Sequence, residues 1–190
     1  MTTLQIKNMV CDRCITTVRQ ILKEAGFTVQ SVELGKAEIA EEPPSEKLES
    51  VSGKLEEQGF ELIRDEESIL VEKIKACLIN YLDHLEEQED PQNVSEYLAE
   101  RLHHNYSYLS SHFSSETNTT VEKYLILLKI ERVKELLSYR QMTLSEIAWK
   151  LNYSSVQYLS RQFKKITGLS VTDYNKASKS LRKPLDKLEE

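Results

Sequence analysis

The chain has 190 residues, 31 of them acidic and 25 basic, for a net charge of -6. That balance argues against a chain that binds nucleic acid over its whole length, and a composition with 39% hydrophobic and 29% charged residues excludes a disordered polymer. No apolar run nears the roughly 20 residues of a membrane helix, the first residues lack the order of a secretory leader, and 3 cysteines are too few for a disulfide scaffold, so the expectation is a cytoplasmic protein with reduced thiols and no membrane partner.

The net charge hides an asymmetry. Residues 1–65 hold 8 basic and 12 acidic side chains, residues 66–93 hold 2 and 8, and residues 94–190 hold 15 and 11. Within the last part, 129–187 hold 13 basic against 5 acidic. A split of this kind directs any search for nucleic-acid contact to the C-terminal part alone.

In chain order, residues 3–8 alternate and predict a strand. Residues 12–25 follow with Ile15, Val18, Ile21, Leu22 and Ala25 on one helical stripe, stopped by Gly26. Residues 27–34 alternate again, Gly35-Lys36 turns, and 37–40 form a short third strand. Pro43-Pro44-Ser45 opens a helix over 45–58 with Leu48, Val51 and Leu55 inward, Gly59 ends it, and 60–64 form the last strand. This β-α-β-β-α-β order is the ferredoxin-like pattern. Residues 67–88 predict one amphipathic helix with Leu70, Ile74, Cys77, Leu78, Tyr81, Leu82 and Leu85 on its stripe, and 86–93 form a polar break containing Pro91.

From there the pattern is helical. Capping-box forms at Asn93-x-x-Glu96, Thr119-x-x-Glu122, Thr143-x-x-Glu146, Ser154-x-x-Gln157 and Ser170-x-x-Asp173 predict five helix starts. An internal repeat is also present. Ala99-x-x-Leu102, Tyr108-Leu109-Ser110-x-x-Phe113 and Thr117-Asn118 recur as Ala148-x-x-Leu151, Tyr158-Leu159-Ser160-x-x-Phe163 and Thr167-Gly168, offset by 49 residues and then 50. Each unit reads as a helix-turn-helix. Asn105 and Asn152 fall near the two turns, where asparagine tolerates left-handed backbone. The helix between the units, about 19 residues over 120–138, would span roughly 28 Å, of the order of one turn of DNA. The fold class is therefore α+β, in three parts: a ferredoxin-like domain at 1–65, a linker helix and polar break at 66–93, and an all-α double helix-turn-helix domain at 94–190.

Residues 144–174 resemble the signature of the arabinose-regulator (AraC/XylS) type of transcription factor through Ile147-Ala148, Ser160-Arg161, Phe163-Lys164-Lys165, Gly168 and Tyr174. The resemblance covers about 94–176 and implies a double-stranded DNA operator as partner, RNA polymerase as a further one, and a monomer or homodimer. On helix 154–166, Leu159 and Phe163 face the core. The opposite face offers Ser155, Gln157, Tyr158, Arg161, Gln162 and Lys165, where Arg suits guanine edges, Gln adenine edges, and Lys and Ser phosphates. A merely solvated helix face is the bland alternative. Helix 106–115 departs from the family in having no Lys or Arg, and its Tyr106, Ser107, Tyr108, Ser111 and His112 could bind only by neutral hydrogen bonds or apolar contact. It either touches DNA in this way or is structural. Lys129, Val133, Asn152 and Val171 stand where the family commonly has Arg, Ala, Gly and Pro.

Met9-Val10-Cys11-Asp12-Arg13-Cys14 lies between the first strand and first helix. Two thiols at this spacing on a helix start converge, and the helix N-terminus favours their thiolates. Such a pair suits a soft ion of low coordination, Cu(I) above all, with Zn(II) or another thiophilic ion as a substitute. In its β-α-β-β-α-β setting this segment resembles the heavy-metal-associated domain of copper chaperones and metal-transporting ATPases, over residues 3–64. The resemblance implies Cys11 and Cys14 as ligands, Met9 packed beneath the loop, and Gly59-Phe60 as the glycine–aromatic pair near the site. Asn8 stands where that family usually has Gly. A reversible disulfide and a loop no longer used for metal are the rival readings. Cys77 reads as a buried small hydrophobe, His84 lies seven residues further along the same face, about 10 Å away and too far to share an ion with it, and His103, His104 and His112 read as ordinary surface or capping residues. No phosphate loop or nucleophile arrangement of an enzyme is present. The expected function is a DNA-binding regulator responding to a soft metal at Cys11 and Cys14. A redox-responsive regulator and a metal carrier whose helical tail docks another protein are the alternatives.

Overall fold

The structure, a computed structural model, describes residues 1–63, 65–88, 90–176 and 185. Arg64, the end of the last predicted strand, and Lys179, Arg182, Lys183 and Lys187 of the basic block lie outside the described residues. The chain divides into two compact units, Met1–Cys77 and Leu78–Glu190.

In the first unit β1 (Thr2–Lys7), α1 (Asp12–Glu24), β2 (Val29–Glu33), β3 (Lys36–Ile39), α2 (Ser45–Glu57) and β4 (Glu61–Ile63) follow one another, and α3 (Glu66–Glu87) begins here. The strands form one antiparallel sheet in the order β2-β3-β1-β4. Thr2 faces Ile39 and Leu4 faces Ala37 across β1–β3, and Gln5 faces Ile63 across β1–β4. The side-chain period of two puts Leu4, Ile6, Ala37 and Ile39 on the buried side of their strands. They meet Val18, Ile21 and Leu22 of α1 and Val51 and Leu55 of α2 in one core, closed by Phe27, Val32, Met9 and Phe60. Side chains buried to this degree contribute about 1.5–3 kcal/mol each relative to exposure. Gly26 and Gly59 follow the two helices at φ 76° and 83°, the left-handed conformation in which a glycine ends a helix at little cost.

The second unit holds the end of α3 and then α4 (Val94–Leu102), α5 (Tyr106–Thr117), α6 (Val121–Tyr139), α7 (Leu144–Lys150), α8 (Val156–Thr167) and α9 (Val171–Lys176). On α3, Ile74, Cys77, Leu78, Tyr81, Leu82 and Leu85 are buried as the stripe requires, while Leu70 is only half-buried. Val71 and the charged Glu72 are buried beside them, outside the expected stripe. The division into units falls within α3.

Helix starts follow side-chain caps. Asn93 accepts from Glu96 N–H, and Thr143 and Glu146 form a complete capping box. Ser170 Oγ accepts from Asp173 N–H at 3.1 Å. Two expected starts are corrected by one residue. Thr120, not Thr119, caps α6, and Ser155, not Ser154, caps α8. Each correction puts a half-buried or buried valine, Val121 or Val156, at the first helical position. Asn105 is corrected too. It has φ -66° and caps α5 through Tyr108 N–H, while the left-handed residue of that turn is His103 at φ 55°. Asn152 is left-handed as expected, at φ 51°.

The repeat extends further than the matching letters. Phe113 packs edge-on against Tyr124, with centroids 5.5 Å apart, and Phe163 against Tyr174 at 5.3 Å. Thr117 Oγ1 donates to Phe113 O and Thr167 Oγ1 to Phe163 O. Thr119 N–H donates to the Thr117 hydroxyl, as Leu169 N–H does to that of Thr167. The first turns of α6 and α9 are thus equivalent parts of two copies of one fold.

Arg132 of α6 gathers three carboxylates: Asp83 at 2.5 Å and Glu86 at 2.8 Å from α3, and Glu135 at 3.2 Å. Lys150 of α7 adds a second cation to Glu86 at 3.3 Å. These pairs hold the end of α3 against α6 and α7 within the second unit.

Candidate functional site

Two places carry candidate chemistry, one in each unit. The first is the loop from β1 to α1. Asn8 is left-handed at φ 69°, a conformation that asparagine tolerates better than most residues. Its Nδ2 donates to Gly59 O at 2.9 Å and its backbone N–H to Glu72 Oε2 at 3.2 Å. The Glu72 carboxylate also meets Lys75 at 3.5 Å. Met9, 3% exposed, is buried in the core under the loop. Nothing in the helical period of α3 marks Glu72 as an anchor for this loop.

Cys11 is the N-cap residue of α1, and Cys14 N–H donates to its carbonyl at 2.9 Å. A side chain at the cap and one three residues on lie over the same turn. The two Sγ atoms are accordingly 3.4 Å apart, and both residues are half-buried. Burial pushes the Cys11 thiol up, but hydrogen bonds from the backbone and thiol of Cys14, with the N–H and charge of Arg13, outweigh it and leave Cys11 below its ordinary value. Burial, and then the neighbouring Cys11, hold Cys14 above it. Of the two, Cys11 therefore loses its proton the more readily. Among the described residues, no group of three or more Cys, His, Asp or Glu gathers, so the donor set is the two sulfurs. Two converging thiols, one of them the readier to lose its proton, fit a soft ion content with few ligands. Cys77 is buried at 8% exposure.

The second place is the outer face of α8 and its counterpart α5. On α8, Leu159 and Phe163 are fully buried. Gln157, Tyr158, Arg161 and Lys165 are exposed together with Lys164. Ser155 is half-buried and its hydroxyl is engaged with Tyr158 N–H at 3.1 Å. Gln162 is half-buried, with Oε1 lacking a protein partner. On α5, Ser107, Tyr108 and Ser111 are exposed, and Leu109 and Phe113 are buried. The Tyr106 hydroxyl is taken up by Glu122 of α6, which removes it from the open face. Tyr108 and Tyr158 hold matching positions, each third in its helix and each 47% exposed.

Behind α8, Lys129 of α6 donates to Leu151 O at 2.9 Å and lies 5.1 Å from the Tyr153 ring centroid. It thereby satisfies a carbonyl at the end of α7 and ties the turn of the second helix-turn-helix to the long helix. Burial lowers its pKa to about 8.

Residues 98–177 match a family model described as a helix-turn-helix domain, and the described part of that range, 98–176, holds the two helix-turn-helix units. The chain is similar to two proteins of Bacillus subtilis (strain 168), both named as uncharacterized HTH-type transcriptional regulators. One, YtdP, is 33% identical over 84 residues, which are 44% of this chain and 11% of that protein. The other, YobQ, is 32% identical over 72 residues, 38% of this chain and 30% of that protein. The chain thus spans less than a third of either relative's length. Among solved structures it is similar to the C-terminal domain of AraT, a response regulator from Geobacillus stearothermophilus, at 27% identity over 59% of this chain and 88% of that one, with a TM-score of 0.48.

Proposed function

We propose that the protein is a DNA-binding transcription regulator of the AraC type whose N-terminal part senses a soft metal ion. The observation that carries the DNA reading is the pair of equivalent helix-turn-helix units, each with a buried Leu and Phe behind an open helix face. In this reading α8 enters a major groove. Gln157 and Arg161 read base edges, Tyr158 makes apolar contact, Lys165 neutralises phosphate, the half-buried Gln162 lies at the edge of the contact, and Ser155 sets the helix start. Ser107, Tyr108 and Ser111 of α5 meet the neighbouring groove without fixed charge.

The sensor reading is supported by the thiol pair before α1 and by the sheet order β2-β3-β1-β4, which suits a ferredoxin-like domain. Cys11 and Cys14 would hold Cu(I), or Zn(II) in its place, and binding would release thiol protons. Residues 1–65 would act as sensor, 66–93 as connector and 94–190 as reader. A change of DNA affinity on binding requires unequal metal affinity between the DNA-competent and incompetent states.

The test is operator binding with and without Cu(I) under reducing conditions, in the wild type and in the Cys11→Ser/Cys14→Ser variant. A metal effect on affinity that vanishes in the variant supports the sensor, and one that persists overturns it. A response to oxidant in place of metal would assign the same cysteines to redox control.

A further inference from the structure

A cleft of about 360 Å3 lies where α6 meets α8 and the turn before it. That volume falls within the range of small-molecule sites. Leu125 and Ile126 of α6 and Tyr158 of α8 give it apolar walls, and Lys129, Tyr153 and Gln162 also line it. These last three carry polar groups short of partners. The Lys129 ammonium has three donors. One goes to Leu151 O at 2.9 Å, and among the described residues no carboxylate pairs with this recessed charge. The Tyr153 hydroxyl and Gln162 Oε1 are closed off from solvent, yet neither has a hydrogen-bond partner in the protein. Lys129 Nζ lies 5.1 Å from the centroid of the Tyr153 ring, and that centroid is 6.2 Å from the one of Tyr158. Buried polar groups are paired as a rule, so each exception asks for a partner. Two exceptions and an uncompensated cation border one cleft.

We propose that this cleft is a binding site for a small monocarboxylic acid with an apolar body. The carboxylate accepts from the Lys129 ammonium and the Tyr153 hydroxyl. The body lies on Leu125, Ile126 and Tyr158, and an N–H or O–H of the acid donates to Gln162 Oε1. A carboxylate supplies both the opposite charge that the ammonium lacks and the acceptors that the two donors need. Burial holds the Tyr153 phenol above its ordinary range, so it stays a neutral donor.

The rest of the lining narrows the choice of ligand. Glu122 borders the cleft two helical turns before Lys129, about 10 Å along α6, and its charge disfavours a second carboxylate on the ligand. An inorganic anion would leave the apolar walls uncovered. Tyr158 and Gln162 belong to α8, so a bound acid fixes two side chains of the helix proposed to contact DNA. A link between acid and DNA affinity therefore rests on the DNA reading, whereas binding of the acid itself does not. By linkage, a ligand that changes DNA affinity is itself bound more or less tightly in the presence of DNA.

The experiment uses the full chain, reduced and metal-free, titrated calorimetrically with phenylacetate, mandelate and hippurate, and with acetate and the three matching amides as controls. An acid should bind once per chain and raise the thermal midpoint. Its amide should bind about tenfold more weakly or worse, through loss of a charge-assisted hydrogen bond. Acetate, without a body, should also bind more weakly. Lys129→Met should abolish binding. Tyr153→Phe should weaken the acid about tenfold, while its thermal midpoint without acid should match or exceed that of the wild type, because the hydroxyl has no protein partner to lose. No binding by any of the three acids at millimolar concentration, amides as good as acids, or wild-type binding in Tyr153→Phe overturns the site. The second measurement is affinity for a DNA duplex selected with the chain from a random library. A change on adding the bound acid that is absent in Tyr153→Phe supports the link to DNA. An acid that binds without such a change overturns the link and leaves the site standing. Failure to bind DNA at all overturns the DNA reading and again leaves the site standing.

Discussion

At the scale of single residues, Lys129 shows how a buried charge sets a pH response. Desolvation lowers its pKa from 10.5 to about 8. Between those values the unfolded chain binds more protons than the fold, so stability rises with pH there and is lost as pH falls through about 8. Tyr153, held above its ordinary value by burial, acts in the opposite sense once the unfolded phenol ionises near 10. The expected outcome is a urea midpoint that climbs from about pH 8 to about pH 10 in the wild type and climbs less in Lys129→Met. Parallel curves would show that Lys129 contributes no such term. Residues of this kind were the least legible ones. Lys129 stood out in the sequence only as a lysine where the resembled family commonly has Arg, and nothing in the pattern singled out Glu72, Glu131 and Lys134, each 7% exposed or less. A helical period marks apolar faces and says nothing of a charge that folds inward to a partner, as Glu131 and Lys134 do to one another at 2.5 Å. Cys11 and Cys14 were legible because a spacing of three at a helix start forces two side chains over one turn.

At the scale of elements, the helix ends can be probed one by one. Thr143 accepts from Glu146 N–H at 3.3 Å, and its own N–H donates to Glu146 Oε2 at 2.7 Å. Thr143→Ala should cost about 1 kcal/mol of stability through loss of the cap. Gly168 ends α8 at φ 76° with open space around it, so an added Cβ meets strain alone. Gly168→Ala should cost about 1 kcal/mol, whereas Asn118→Gly at the equivalent place should cost nothing, because Asn118 already holds a left-handed backbone at φ 54°. Thermal midpoints of the three variants check this ordering. The order and type of elements were legible from periodicity and glycine stops. The starts of α6 and α8 were displaced because Thr119-Thr120 and Ser154-Ser155 are hydroxyl doublets. Only packing of the next residue decides which member caps. The start of α5 at Tyr106 was placed by the repeat although its cap, Asn105, has no acid three residues on.

At the scale of the molecule, the charge that argued against nucleic acid is a matter of distribution. The positive excess lies in 129–187, and the described part of it on α8 ends in Lys164 and Lys165. Arg161→Gln should relax base preference at one operator position and cost about 1–3 kcal/mol there, whereas Lys165→Gln should lower the salt slope by about 1 without changing preference. Competition titrations on single-base operator variants at several salt concentrations separate the two. The sheet of the first unit has a different consequence. Its outer strands are β4, only 3 residues long, and β2, whose pairing register shifts between Val29 and Ser31. A second copy seeking to lengthen the sheet would find a ladder too short on one side and interrupted on the other. The domain can therefore be crowded with like chains, as a protein concentrated on one stretch of DNA would be, without its strands becoming a seed for aggregation.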